Sequence, residues 1–126
     1  MKIARKKTSP RYSRDGITSY LLVSEVTTGS VHMSTTLVEM TPGGKQRIHC
    51  HETEQCYYIL EGEGLMTIGQ ETQRVTPGDC VFIPSNKAHG LNNDSGVVLK
   101  YFSAGAPSFG KEKLLEIWPL KSEAEV

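Results

Sequence analysis

The interval at which glycine and proline break this chain constrains its fold more than any other feature. Turn signals stand at Thr28-Gly29, Thr41-Pro42-Gly43-Gly44, Glu61-Gly62-Glu63-Gly64, Gly69-Gln70, Thr76-Pro77-Gly78-Asp79, Pro84 and Asn92-Asn93-Asp94-Ser95-Gly96. Between them lie extended stretches rich in β-branched and aromatic residues, at 17–26, 30–40, 46–51, 55–60, 65–68, 72–75, 80–83, 89–91 and 97–103. Strands recurring every 8–12 residues or so predict an all-β sandwich or barrel, not alternating strands and helices. Within 30–40, period-two alternation puts Val31, Met33, Thr35 and Leu37 on one face. Residues 1–15 read as irregular, and only 110–118 carries helical character, stopped by Pro119. With 126 residues and no internal repeat, the chain reads as one domain with its own core.

The stretch His49-Cys50-His51-Glu52-Thr53-Glu54-Gln55 carries the first chemistry. Two histidines one residue apart share a face of an extended segment, with Cα atoms about 6.6 Å apart, a span one metal ion can bridge. Strand parity turns Arg47 inward with them and Cys50 to the opposite face, and Tyr57 inward with Gln55. Arg47 is a candidate clamp for a substrate carboxylate and Tyr57 a candidate hydrogen-bond donor to substrate. Glu52 and Glu54 are expected to face solvent, and His32 to stand apart from any site.

Charge excludes some classes. Fourteen basic and fourteen acidic residues cancel, so no bulk field points to nucleic acid or to a membrane. Six basic residues, Lys2, Arg5, Lys6, Lys7, Arg11 and Arg14, fall in the first fourteen positions and read as a solvated arm. No apolar run approaches the ~20 residues that span a bilayer, nor is there a signal-peptide pattern. Cys50, Cys56 and Cys80 form neither a disulfide framework nor a zinc-finger spacing, which suits free thiols in the cytoplasm.

Two longer patterns run in order. Gly43 to Gly62 reads G-x5-H-x-H-x3-Q-x6-G, and Gly78 to Asn93 reads G-x5-P-x-N-x2-H-x3-N through Pro84, Asn86 and His89. Together they resemble the paired signature motifs of the cupin superfamily, across residues 30–103. The resemblance implies a jelly-roll barrel (a double-stranded β-helix) over 16–105, preceded by the arm and followed by an extension over 106–126. It also implies one divalent transition metal ion, Fe, Zn, Ni, Mn or Cu, held by His49, His51 and His89, with Gln55 where the family usually has glutamate. Asn86 stands at a usual glycine position. An alternative register places Cys56, a softer ligand, in the fourth position.

A neutral glutamine leaves a bound dication's charge uncompensated and cannot act as a general base. The implied function is therefore a small enzyme using Lewis-acid chemistry, as isomerase, cyclase or lyase, on a dicarbonyl, enol or sugar acid. An Fe(II) dioxygenase and a non-catalytic binding or sensor module are the alternatives. Among glutamine-containing relatives, uronate-linearising enzymes carry an acid and a following arginine on the last strand, and residues 100–104 here have neither. Asn93 is expected to fix the turn after the second motif. The apolar positions of 109–120 and the habit of small cupins predict a homodimer, with this tail packed on a partner subunit.

Overall fold

The computed structural model describes residues 1–118. A 3-10 turn at Lys6–Thr8 is followed by β1 (Arg11–Arg14), β2 (Ile17–Leu21), α1 (Glu25–Thr28), β3 (Ser34–Met40), β4 (Glu54–Glu61), β5 (Gly64–Ile68), β6 (Glu71–Val75), β7 (Cys80–Ile83), β8 (His89–Asn92), β9 (Leu99–Ala106) and α2 (Lys111–Ile117). The strands form two facing sheets, one ordered β1-β2-β3-β9-β4-β7 and one ordered β6-β5-β8. This is the expected all-β jelly roll. Among the described residues no helix is long and apolar enough to cross a membrane.

The first fifteen residues differ most from their reading. Asp15 and Gly16 take positive φ, 55° and 77°, and link Arg14 to its partner Ile17 as a two-residue hairpin loop. A tight loop with both central residues left-handed matches the twist of antiparallel strands, which is why Asp-Gly favours it. Tyr20 supplies a ring for the basic residues, with the Arg11 guanidinium 4.8 Å and the Lys6 ammonium 5.2 Å from its centroid. Lys6 also pairs with Glu39 at 2.7 Å. The arm is therefore folded along the sheet for much of its length. The expected strand 17–26 ends early at Leu21, and its last residues pass into α1, capped by the Ser24 hydroxyl and closed by left-handed Gly29 at the expected turn. Val31 and Met33 lie outside β3 and are exposed.

Alternation along β4 sets the core. Tyr57 and Ile59 point between the sheets and are buried, whereas Tyr58 and Leu60 point out and are exposed. They meet Val38, Met40, Met66, Val75, Ile83, Leu91, Leu99 and Tyr101 in one cluster. Each such side chain contributes about 1.5–3 kcal/mol through removal from water. The β4–β5 turn has to pass close to the strand beside it. A Cβ on Gly62, at φ +76°, would lie 2.4 Å from the Val98 carbonyl oxygen, so only glycine fits.

A second cluster corrects the expectation for the C-terminal extension. Leu114 and Trp118 are buried against Leu21, with Val26 and Phe109 packed around them. The Trp118 indole N–H donates to the Ser19 carbonyl at 3.2 Å. The apolar side of α2 is thus covered by this chain's own β2 and α1, not kept for a partner subunit. The remainder of the expected tail, 119–126, lies outside the described residues.

Candidate metal centre

The site begins where the regular ladder stops. Residues 45–51 join the smaller sheet through two isolated bridges, Lys45 with Asn92 and His49 with His89. At the second bridge each backbone N–H donates to the other residue's carbonyl, at 3.0 and 2.9 Å, so the two histidines stand directly opposite. Their ring centroids are 4.2 Å apart, and that of His51 lies 5.4 Å from His49 and 4.8 Å from His89. The Asn86 N–H donates to the His51 carbonyl at 2.7 Å and ties down the second ligand loop. Asn86 has φ 61°, a left-handed conformation that asparagine tolerates better than most residues, so this departure from glycine preserves the backbone.

Backbone carbonyls fix the chemistry of all three rings. Nδ1 of His49 lies 2.7 Å from the Arg47 carbonyl, that of His51 2.8 Å from the Thr53 carbonyl, and that of His89 2.9 Å from the Lys87 carbonyl. A carbonyl only accepts, so each Nδ1 carries the proton and each Nε2 keeps its lone pair. Orientation of a ligand ring through its other nitrogen is the usual support for metal binding. The potential ligand atoms of the three histidines lie within 4.8 Å of one another. Such a cluster is compatible with a metal site.

Gln55 lines the same cavity as His49 and His51. Its amide nitrogen donates to the Ser103 hydroxyl at 3.2 Å. Its Oε1 is buried without a hydrogen-bond partner, and so is Nε2 of His89. Buried polar atoms are seldom left unpaired. Both orphans are electron-pair donors, so what each lacks is a proton donor or a cation. The residues therefore fit a metal ion on this structure's own terms.

Cys56 does not compete for that place. It follows Gln55 on β4 and so takes the other face, beside Cys80 of β7 and outside the cavity lining. Cys50, expected to face away, is exposed and touches the cavity edge because 49–51 is not a regular strand. Glu52, Glu54 and His32 are exposed, and His32 is not in the cluster.

Burial disfavours charge on His49 and His89. It pushes His89, wholly inaccessible, down to about 4, against the Lys87 carbonyl and with help from nearby His49 and His51. His49 is lowered too, first by burial. In the unfolded chain His89 regains an ordinary value near 6.5, so the unfolded state binds the extra proton first as pH falls. The metal-free protein is therefore expected to keep this contribution above about pH 6.5 and lose it on acidification through pH 4. The loss, about 3 kcal/mol once pH falls below about 4, is readable by urea denaturation across that window.

The cavity has a volume of about 470 Å³. Tyr57, buried and stacked on Tyr101 with centroids 4.2 Å apart, forms part of its wall. The Gln46 amide donates to both phenolic oxygens, at 3.2 and 2.9 Å. Arg47 stands at the mouth with its side chain 70% exposed, 3.5 Å from the Asp15 carboxylate. Sequence reading missed Tyr12, Arg14, Asp15, Phe109 and Trp118, which also line the cavity. The Asp15-Gly16 pair could have revealed the first three, as a hairpin signal. Nothing local marks the last two, which arrive by the fold-back of α2.

Residues 36–105 match the family described as Cupin domain. An uncharacterized protein of Methanocaldococcus jannaschii is 36% identical over 108 residues, covering 84% of this chain and 86% of that protein. An oxalate-binding protein of Thermotoga maritima is 30% identical over 67 residues, covering 52% of this chain and 55% of that one. Among solved structures, the polyketide cyclase RemF of Streptomyces resistomycificus is 25% identical with a TM-score of 0.73, covering 86% of this chain and 80% of that one.

Proposed function

The chain belongs to the cupin family, and from that membership we propose that it is a mononuclear metalloenzyme acting on an oxygenated small molecule. One divalent transition ion would be held by Nε2 of His49, His51 and His89, with Gln55 Oε1 as the fourth ligand. The observation that carries this reading is the pair of buried, unpartnered acceptors on Gln55 and His89. When bound, the ion supplies Lewis-acid polarisation of a substrate carbonyl or enol oxygen, the chemistry of an isomerase, cyclase or lyase. Gln55 adds no charge to the ligand set and cannot take up a proton, so proton transfer falls to another group. Tyr57 is held neutral by burial, which raises its pKa, and it bounds the cavity as a hydrogen-bonding wall. The similarity to a polyketide cyclase supports the cyclase reading, and the similarity to an oxalate-binding protein supports a binding module as the alternative.

Elemental analysis of protein isolated without oxygen tests the proposal. Near-stoichiometric zinc or nickel supports it, iron moves the reading to a dioxygenase, and no metal at all removes it. The expected homodimer and cytoplasmic location belong to the same proposal. With α2 covered in cis, exposed Tyr58, Leu60 and Phe82 on the outer face of the larger sheet are the surface that supports pairing. Light scattering at micromolar concentration should give twice the chain mass; a monomer mass counts against it.

A further inference from the structure

We infer that the cavity takes a small organic anion, with its carboxylate held at the mouth by Arg14 and Arg47 and its apolar body against Phe109 and Trp118. The inference deepens the proposal above and rests on the histidine cluster being the reacting end of this cavity. Its starting point is a charge imbalance. The Asp15 carboxylate lies 3.5 Å from Nε of Arg14 and 3.5 Å from Nε of Arg47. One carboxylate cannot neutralise two guanidiniums. Lys45 lines the same cavity, as does Lys113, which pairs with Glu116 at 3.8 Å, and Asp15 is the one acidic residue among its described lining residues. Because the chain as a whole carries no net charge, this excess is a local arrangement.

The fold assembles the pair from distant segments. Arg14 precedes the Asp15-Gly16 loop, whereas Arg47 belongs to the segment that leads into His49. The Lys45 N–H donates to the Asp15 carbonyl at 3.3 Å and the Thr41 N–H to the Gly16 carbonyl at 2.9 Å, which locks the loop to that segment. Both ion pairs use Nε, so the terminal nitrogens of each guanidinium remain to receive an incoming anion. A guanidinium fork matches the planar geometry of a carboxylate. Both side chains are more than half exposed, at 53% and 70%, so their ion pairs with Asp15 are weak and easily shared.

The rest of the cavity agrees with this orientation. Beside the histidine cluster Gln55 adds an uncharged amide, and no carboxylate lines the cavity there to repel an anion. Phe109 stands edge-on to His51 with centroids 5.5 Å apart, and Trp118 borders the same space. A volume of about 470 Å³ is that of a small-molecule site. The ligand class is thus a carboxylate with an apolar or aromatic body and a neutral oxygen donor at its far end.

Calorimetric titration with 4-acetylbenzoate and its uncharged twin 4-acetylbenzamide, whose ketone lies across the ring from the acid or amide, tests this on zinc-loaded protein. Wild type should bind the acid about tenfold more tightly than the amide, since hydrogen bonds to charged groups are the stronger ones. R14Q/R47Q should bring the two affinities within about threefold, with zinc content unchanged. On wild type alone, raising salt from about 50 to about 500 mM should weaken the acid and not the amide. Equal affinities, no measurable binding of either probe, or a preference that survives R14Q/R47Q or high salt overturns the inference. Zinc content separates the two readings. Protein that takes no zinc yet prefers the acid removes the metal proposal and leaves the anion site, whereas protein that loads zinc without discriminating does the reverse.

Discussion

His51→Ala is expected to lower zinc affinity by at least about a hundredfold, because on the proposed assignment it removes a direct ligand, where loss of a mere outer-shell partner already costs about 10–100-fold. His51 contributes an Nε2 lone pair oriented by the bond between its Nδ1 and the Thr53 carbonyl. Alanine abolishes the ligand and leaves that carbonyl to water. Metal bound at about a hundred times its dissociation constant stabilises the folded state by about 2.7 kcal/mol, and most of that is lost when affinity falls a hundredfold. The readout is the zinc-induced rise in melting temperature, which should nearly vanish in His51→Ala. Cys56→Ala should retain the full rise, because Cys56 lies on the outer face of β4. A full rise in His51→Ala would show that the histidine cluster does not hold the metal, and its loss in Cys56→Ala that the fourth-ligand assignment is wrong.

Asn93→Ala should be the most destabilising polar truncation, by about 3–5 kcal/mol, with no effect on metal chemistry as such. Asn93 is 1% exposed, and its amide nitrogen lies 3.0, 3.2 and 2.8 Å from the carbonyls of Met40, Thr41 and Val97. Its Oδ1 accepts from the Ser95 N–H at 3.0 Å and the Ser95 hydroxyl at 2.7 Å. One side chain thus pins the end of β3 to the loop between β8 and β9. Truncation leaves several carbonyls without donors, at about 1–3 kcal/mol for each that stays buried. Urea midpoints measure the loss. Asn93→Asp keeps the shape but replaces the donor with an acceptor, so it should be no better than alanine. Stability close to wild type in Asn93→Asp would mean the amide does not hold these carbonyls.

Asn93 also shows how far sequence carried the site. Its place at the end of the second motif marked it as a turn-fixing residue, and it is one. Its partners at Met40 and Thr41 stand more than fifty positions away, so no local pattern could supply them. The strands 65–68, 72–75, 80–83 and 89–91 were legible to within a residue because each is bounded by turn chemistry at both ends. The long run at 17–26 was not. Its apolar composition suits a strand throughout, but the Ser24 hydroxyl caps a helical turn that competes for the second half.

The metal cluster divides in the same way. Spacing alone paired His49 with His51, because neighbouring residues of extended chain have few places to go. Tyr57 was rightly placed on an inward face by parity, but its engagement with Gln46 and Tyr101 depends on three separate segments meeting. Arg47 shared the parity of the histidines and still ended at the mouth, 70% exposed, because isolated bridges do not enforce the alternation that a full ladder would.

What the sequence determined by itself was most of the strands, β1 and the true end of β2 excepted, their separation by turns and the residues capable of binding a metal. These follow from period, turn chemistry and side-chain type, which act over a few residues. The tertiary structure alone decided that His89 stands opposite His49, that Cys56 is turned away while Gln55 is turned in, and that one aspartate holds two arginines at the mouth. It also decided that α2 folds back on its own chain. Those outcomes depend on which faces are buried together once the sheets close, and that choice is made by non-local packing.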